Sequence, residues 1–399
     1  MNPARPGPLG GNRRLFLQAA AGRALVAGAV LAAGCRPSGG PAGATGSATP
    51  IRLGEFSSLT GREAGLGQDT HLGVQLALEE INAAGGVLGR PLELVAEDTR
   101  SQAGEAATAV HKLLRRDRVA ALIGESASGR CLEGAPLAQQ AGVPLVSPAA
   151  TNPRVTEIGD CIFRVCFTDP FQGTLMARFA RETLGVQRAG LLVDTAATYS
   201  VGLASFFRQQ FEAVGGTLAA EQRFSGGDKD FRAQLTALKA AGVGAIFAPS
   251  YYGDGGLILR QARQLGFDGP LLGGDGWEAP ELVGVAGAAA DGAFFPVHFS
   301  LEDPAGRTRE FGRRFEARFG RTPTGVSALG YDALQLIADA IRRAGSAEPA
   351  AIRSALAATR GFDGLTGRIV FDDAREVRKP AAIIEVRGGR FRFLRMVTP

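Results

Sequence analysis

Residues 122–153, LIGESASGRCLEGAPLAQQAGVPLVSPAATNP, read as buried strand, polar loop, helix, buried strand, polar loop. In an open α/β sheet, ligands bind beyond the carboxyl ends of the strands, where both of these loops sit. The first loop carries Ser126 and Ser128, the second Ser147 and Thr151. A hydroxyl at the start of a helix stands beside free backbone N–H groups, a setting that suits a small anion such as a carboxylate. The plainer alternative is that these residues only cap helices. No base or nucleophile neighbours them in the chain, so the pattern points to holding a molecule rather than cleaving one.

The same rhythm extends in both directions. Ile51–Phe56 reads as a strand and SSLTGREAGLG (57–67) as a Gly-rich loop. A helix over 68–84 follows, with Leu72, Leu76 and Ile81 at helical spacing and Gly85-Gly86 ending it. Strand 91–97, helix 101–116 and strand 119–123 lead into the opening stretch. Strand 162–165 and the segment FTDPFQG (167–173) then begin a second alternating run, through helices 171–184, 200–214, 229–241 and 255–265. Its strands are 189–193, 217–221, 245–248 and 270–272, and a turn holding Asp275 and Trp277 closes it. Alternation of this length implies parallel pairing with right-handed crossovers. After strand 292–297, helices 304–319, 324–344 and 348–358 have no strands between them, so they must cover a sheet already formed. Short strands occupy 367–393. Two α/β lobes in series, crossed several times by the chain, form a hinge that closes over a ligand.

The 399 residues suffice for more than one domain. Arg5, Arg13, Arg14 and Arg23 lie in a segment without acids, and they account for all but +1 of the formal charge of +5. With no basic run interleaved with aromatics elsewhere, nucleic acid is not the partner. Asn12-Arg13-Arg14-Leu15-Phe16-Leu17-Gln18 resembles a twin-arginine export signal. The apolar run Ala24–Ala33 is too short to span a bilayer. Leu31-Ala32-Ala33-Gly34-Cys35 resembles a lipoprotein cleavage box with Cys35 as the acylated residue, although Ala32 stands where Leu is usual. The alternative is a plain exported protein whose cysteine falls there by chance. Residues 36–50 have the composition of a flexible tether. Of the remaining thiols, Cys131 and Cys161 are the favoured pair in an oxidising compartment; buried free thiols are the alternative.

Several chemistries find no support. Gly65-Leu66-Gly67 lacks the third glycine of a dinucleotide fingerprint. Gly124-Glu125-Ser126-Ala127-Ser128 resembles a nucleophile elbow but ends in Ser, and only His71, His111 and His298 are present to activate it. No metal-ligand spacing occurs. Neither a cofactor, a metal nor catalysis is expected.

Leu59-Thr60-Gly61, Ile81-Asn82-Ala83-Ala84-Gly85-Gly86, Ser147-Pro148-Ala149-Ala150-Thr151 and Leu259-Arg260-Gln261-Ala262-Arg263 together resemble the branched-chain amino-acid (Leu/Ile/Val-type) solute-binding proteins of ABC importers. The resemblance implies the periplasmic binding protein type I fold: two Rossmann-like lobes with parallel-rich sheets flanked by helices, joined by a three-crossing hinge. Its crossings fall near Asp169, His298 and Lys379. The implied organisation is export signal 1–34, tether 35–50, one lobe of 51–168 plus 299–378, and another of 169–298 plus 379–399. Matched position by position, Ser128 and Thr151 hold a ligand carboxylate, and Ala149 supplies a carbonyl. Tyr251 and Tyr199 close from the second lobe, and Asp275 pairs with the ammonium where familiar members have Glu. Leu66 replaces an aromatic of the first loop, Val326 falls near an apolar wall, and Trp277 is either a ligand contact or a packing residue. The implied role is that of a monomeric, lipid-anchored protein outside the membrane that passes an amino acid to an ABC permease. A ligand sensor that signals to a partner is the alternative.

Overall fold

The computed structural model describes residues 49–303 and 307–399. The proposed export signal, Cys35 and nearly all of the tether lie outside them. The chain opens with β1 (Ile51–Ser57), α1 (Ala64–Ala83), β2 (Leu92–Asp98), α2 (Glu105–Lys112), β3 (Ala121–Ile123), α3 (Ser128–Ala141), β4 (Leu145–Ser147), α4 (Arg154–Glu157) and β5 (Ile162–Arg164). These five strands form one parallel sheet in the order β2-β1-β3-β4-β5. Period-two alternation sorts its side chains. Leu122, Leu145 and Ile162 join one apolar cluster with Val110, Cys131 and Ala135 of α2 and α3. Ile123, Val146 and Phe163 turn the other way, into a cluster with Val74 and Ile81 of α1.

The second run comprises α5 (Asp169–Arg178), β6 (Arg188–Asp194), α6 (Thr198–Ala213), β7 (Thr217–Phe224), α7 (Arg232–Ala240), β8 (Ala245–Phe247), α8 (Tyr252–Gln264), β9 (Leu271–Leu272), α9 (Pro280–Ala286) and β10 (Ala293–Val297). The chain then returns through α10 (Arg307–Phe319), α11 (Gly325–Ala344), α12 (Pro349–Ala357) and the hairpin β11 (Phe362–Gly364) and β12 (Gly367–Ile369). It ends with β13 (Ala381–Arg387) and β14 (Arg390–Val397), which complete a seven-stranded sheet, β14-β13-β10-β9-β8-β6-β7. Only β13 is reversed there, antiparallel to both of its neighbours, β10 and β14. Helix α11 packs on α1 and reaches β3 and β4, so the strandless helices do cover the first sheet. The α/β class and the three-crossing, two-sheet architecture are as the sequence implies.

Boundaries moved where a glycine had been misread. Residues 57–67 were expected to form a loop, yet α1 begins at Ala64 and takes in Leu66. The Gly-rich composition serves contact rather than a turn: a Cβ on Gly67 would lie 2.0 Å from the Ser58 carbonyl. Gly73 of α1 is pressed in the same way against the backbone of α11, 1.9 Å from the Ser327 oxygen. Tyr199, which precedes the expected helix 200–214 by one residue, instead occupies the first turn of α6. Helices α4 and α9 and strand β11 were not anticipated.

The favoured Cys131–Cys161 disulfide is not formed. Cys131, Cys161 and Cys166 are free and buried, the alternative reading. Cys131 lies on α3 with Sγ toward the Gly124 carbonyl, whereas Cys161 Sγ faces Asp160. Burial pushes the Cys131 thiol up to about 11 and that of Cys166 to about 12, which leaves little thiolate to react. In a Cys35→Ala variant, Ellman's reagent should find almost no reactive thiol in the folded protein and three after denaturation without reductant. Recovery of a single thiol would establish a disulfide.

Candidate functional site

A narrow void lies between the two sheets, walled by Leu66, Ser126, Ala149 and Val326 from one side and by Tyr199, Tyr251, Asp275 and Gly276 from the other. As it stands it has room for little more than one water molecule, so a larger occupant requires its walls to part. Of the residues singled out in the sequence, Leu66, Ala149, Tyr199, Tyr251 and Asp275 meet on this wall, as does Val326. Ser128, Thr151 and Trp277 do not line it. Trp277 is fully buried; its Nε1 donates to Ser250 Oγ at 3.1 Å and its ring meets Phe295 edge-on. That placement is the packing alternative rather than a wall contact.

The two loops of residues 122–153 are braced from within. Ser147 Oγ donates to the Glu125 carbonyl at 2.9 Å and accepts from the Ala150 N–H at 3.0 Å, tying one loop to the other. The Glu125 carboxylate accepts from Ser58, Thr99 and the Ala127 N–H. Ser128 Oγ accepts from the Asn152 N–H at 3.3 Å. Arg164, wholly buried on β5, donates to the carbonyls of Ala150 (2.6 Å) and Asn152 (2.9 Å) and fixes the Pro-Ala-Ala-Thr loop. Thr151 is buried, and its hydroxyl reaches no partner at full hydrogen-bond geometry. On the wall, Thr70 donates to the Leu66 carbonyl at 2.9 Å, so Ser126, 2.8 Å from Thr70 Oγ1, must donate to it. Ser126 then presents only acceptor lone pairs to the void.

Asp275 faces these loops from the first turn after β9. Its Oδ1 accepts from Tyr199 Oη at 2.9 Å and Gln172 Nε2 at 3.1 Å, and its Oδ2 from His298 Nε2 at 3.0 Å. An ionised carboxylate offers about four acceptor positions, so roughly one remains for the void. Burial lowers the His298 pKa below its ordinary value. The ring is therefore neutral at pH 7, with its proton on Nε2 and a bare, unpartnered Nδ1. The ring stacks on Phe167 with centroids 3.6 Å apart. Gln172 and Arg164 had no assigned place in a site, and His298 marked only a crossing; Ser126 stood among the loop hydroxyls read as suited to an anion. Of the unassigned pair, only Arg164, a lone charge inside an apolar strand, left a trace in the sequence.

Direct bonds close the space. Arg62 pairs with Asp254 at 3.2 Å, the Gly65 N–H donates to Tyr252 Oη at 2.9 Å, and the Gly325 N–H donates to Glu278 at 2.6 Å. Asn152 Nδ2 donates to the Thr198 carbonyl at 3.3 Å.

Asp169, at the start of α5, is buried beside this cluster. Burial pushes its carboxyl up to about 7, against the pull of the Thr151 hydroxyl and the Gln172 amide. The folded value lies above the unfolded 3.8, so its contribution to stability is fullest at low pH and is lost as pH rises through about 7. Asp169→Asn should therefore gain on the order of 2 kcal/mol relative to wild type between pH 5 and pH 8. Chemical denaturation at the two pH values measures this; parallel stability curves would refute it.

Known proteins resemble this arrangement across nearly its whole length. A leucine-, isoleucine-, valine-, threonine- and alanine-binding protein of Pseudomonas aeruginosa is 31% identical over 335 residues, which span 83% of this chain and 88% of that one. The leucine-binding protein LivK of Thermotoga maritima superposes with a TM-score of 0.84 at 38% identity, covering 88% of this chain and 99% of the other. The branched-chain amino acid transporter substrate-binding protein LivJ of Streptococcus pneumoniae, solved with isoleucine, gives 0.84 at 34% identity, covering 88% and 100%. Residues 50–390 match the family described as periplasmic binding protein. The chain belongs to that family, among the branched-chain amino-acid solute-binding proteins of ABC transporters with the type I fold.

Proposed function

We propose that this protein captures an amino acid, of the branched-chain type or a related small polar solute, outside the membrane and delivers it to an ABC permease. It works as a monomer held to the membrane through lipid on Cys35, and it performs no chemistry on its cargo. One observation carries the reading: Asp275, with about one acceptor position left, faces the serine and Pro-Ala-Ala-Thr loops across a small closed void.

A zwitterion fits that polarity. Its ammonium takes the remaining position on Asp275 and the Ala149 carbonyl. Its carboxylate takes the N–H groups around the start of α3, a terminus that favours negative charge, and the Ser128 and Thr151 hydroxyls, which stand behind the wall here and come within reach only as the lobes part. Leu66, Tyr199, Tyr251 and Val326 supply the apolar wall. Trp277 supports Asp275 from behind instead of touching the ligand. The lobes, 51–168 with 299–378 and 169–298 with 379–399, part to admit the ligand and shut to exclude water, which strengthens both charged contacts. Opening breaks the direct bonds between the lobes, among them the Arg62–Asp254 pair, whose arginine is half-exposed and whose aspartate is buried.

A thermal-shift screen of the full chain against amino acids, amides and small carboxylates should find ligands that raise the melting temperature, because they bind only the folded state. Calorimetry with such an amino acid should show Asp275→Ala weakening binding by about tenfold or more, the size of one charged hydrogen bond. Unchanged affinity in a variant that still folds would remove Asp275 from the site.

A further inference from the structure

Tyr251 forms part of the wall of the void. Beyond that ring lies a second, roomier space of ≈ 210 Å³ between the lobes, lined by Tyr251 together with Glu63, Ala127, Arg130, Asp194 and Thr198. The same segments wall both compartments. Leu66 faces the inner one and Glu63, three residues earlier at the start of α1, faces the outer; residues three apart share a helix face. Ser126 is inner and Ala127 outer, Tyr199 inner and Thr198 outer, while Tyr251 belongs to both. The outer space thus adjoins the inner one across the Tyr251 ring. Tyr199 and Tyr251 stack along their junction with centroids 5.2 Å apart.

The outer space is charged, and its charges are matched except for one. Arg130 pairs with Glu133 at 2.6 Å, and Arg62 pairs with Asp254 at 3.2 Å. Asp194 accepts from the N–H groups of Ala196 (2.9 Å) and Gly226 (2.8 Å). Glu63 is only 6% exposed, and its Oε2 is buried without a hydrogen-bond partner. A buried carboxylate oxygen left unpaired is costly, and the cost falls when a cation arrives.

We propose that Glu63 receives a second cationic group, carried on the ligand's side chain past Tyr251, so that the protein selects amino acids with a cationic side chain over neutral ones of the same length. The tyrosine pair favours such a ligand, since a cation near an aromatic face is attracted to it. This rests on the reading of the inner void as the site of an α-amino acid.

The test compares L-ornithine with L-norvaline, which has the same carbon chain without the terminal amine, by calorimetry on the full chain. Wild type should bind ornithine at least about tenfold more tightly. Glu63→Gln should cut the ornithine-to-norvaline affinity ratio by about tenfold or more, with a melting curve showing that the variant folds. A wild-type ratio at or below one, or a ratio unchanged in the variant, overturns the proposal. If norvaline or leucine binds and ornithine does not, this inference alone falls. If no amino acid binds, the functional reading falls with it.

Discussion

Placing a carboxylate between two packed sheets has consequences for everything around it. Stripped of water, the Asp275 side chain needs donors on both oxygens, and three residues far apart in the chain supply them. Gln172 comes from the start of α5, Tyr199 from the first turn of α6, and His298 from the segment leaving β10. Two of the three crossings meet here directly, because Phe167 of the first stacks on His298 of the second. The third joins through Lys379, whose Nζ donates to the Val165 carbonyl at 2.7 Å. A change at Asp275 is therefore felt in the segments that connect the sheets.

The hinge carries buried charge of its own. Lys379 is 1% exposed and shares Thr366 with Asp332, which also accepts from the N–H groups of Leu365 and Thr366. Burial lowers the Lys379 pKa to about 8 while Asp332 raises it. Removing one member of such a group leaves the other uncompensated, which costs far more than the intact pair contributes. The same logic explains Arg164. A guanidinium buried on β5 is tolerable because Glu376 lies 3.2 Å from its Nε and because Thr156 and carbonyls of the Pro-Ala-Ala-Thr loop accept from it, and those carbonyl bonds fix that loop.

Much of this was legible in the residues. The alternation of strands and helices gave parallel pairing, helical spacing placed most of α1, and the strandless helices 304–319, 324–344 and 348–358 fell where α10, α11 and α12 stand. The family resemblance brought five of its eight ligand-facing positions to one wall. What stayed hidden depends on distant parts of the chain meeting. Gln172 and His298 belong to no local pattern; they matter because strand order carries them to Asp275. Gly65 and Gly67 read as a loop because sequence does not distinguish a glycine needed for a turn from one needed for close approach, and only the Ser58 carbonyl decides. Cys131 and Cys161 were the favoured pair because Cys161 and Cys166, five apart along a strand, face opposite ways, but the Cys131 and Cys161 sulfurs turn to different partners.

The distribution of donors and acceptors between the lobes bears on how a ligand would be recognised. Asp275, Tyr199, Gln172 and His298 all stand with the second sheet, so the acceptor for a cation is assembled whether the lobes are open or shut. The serine and Pro-Ala-Ala-Thr loops stand with the first sheet and are set independently, by Ser147, Glu125 and Arg164. A solute with one charge meets only one of these assemblies, and its binding does little to favour closure. A zwitterion would bridge them, its two charges linking the lobes, so that selection and closure would be one event. The aspartate's short arm fits this division. With one methylene fewer than glutamate, its carboxylate stays close to its own turn, where Tyr199 and Gln172 hold it, and the ligand must come to it. Rigidity there spares the ordering cost that a longer, freer side chain would impose on binding.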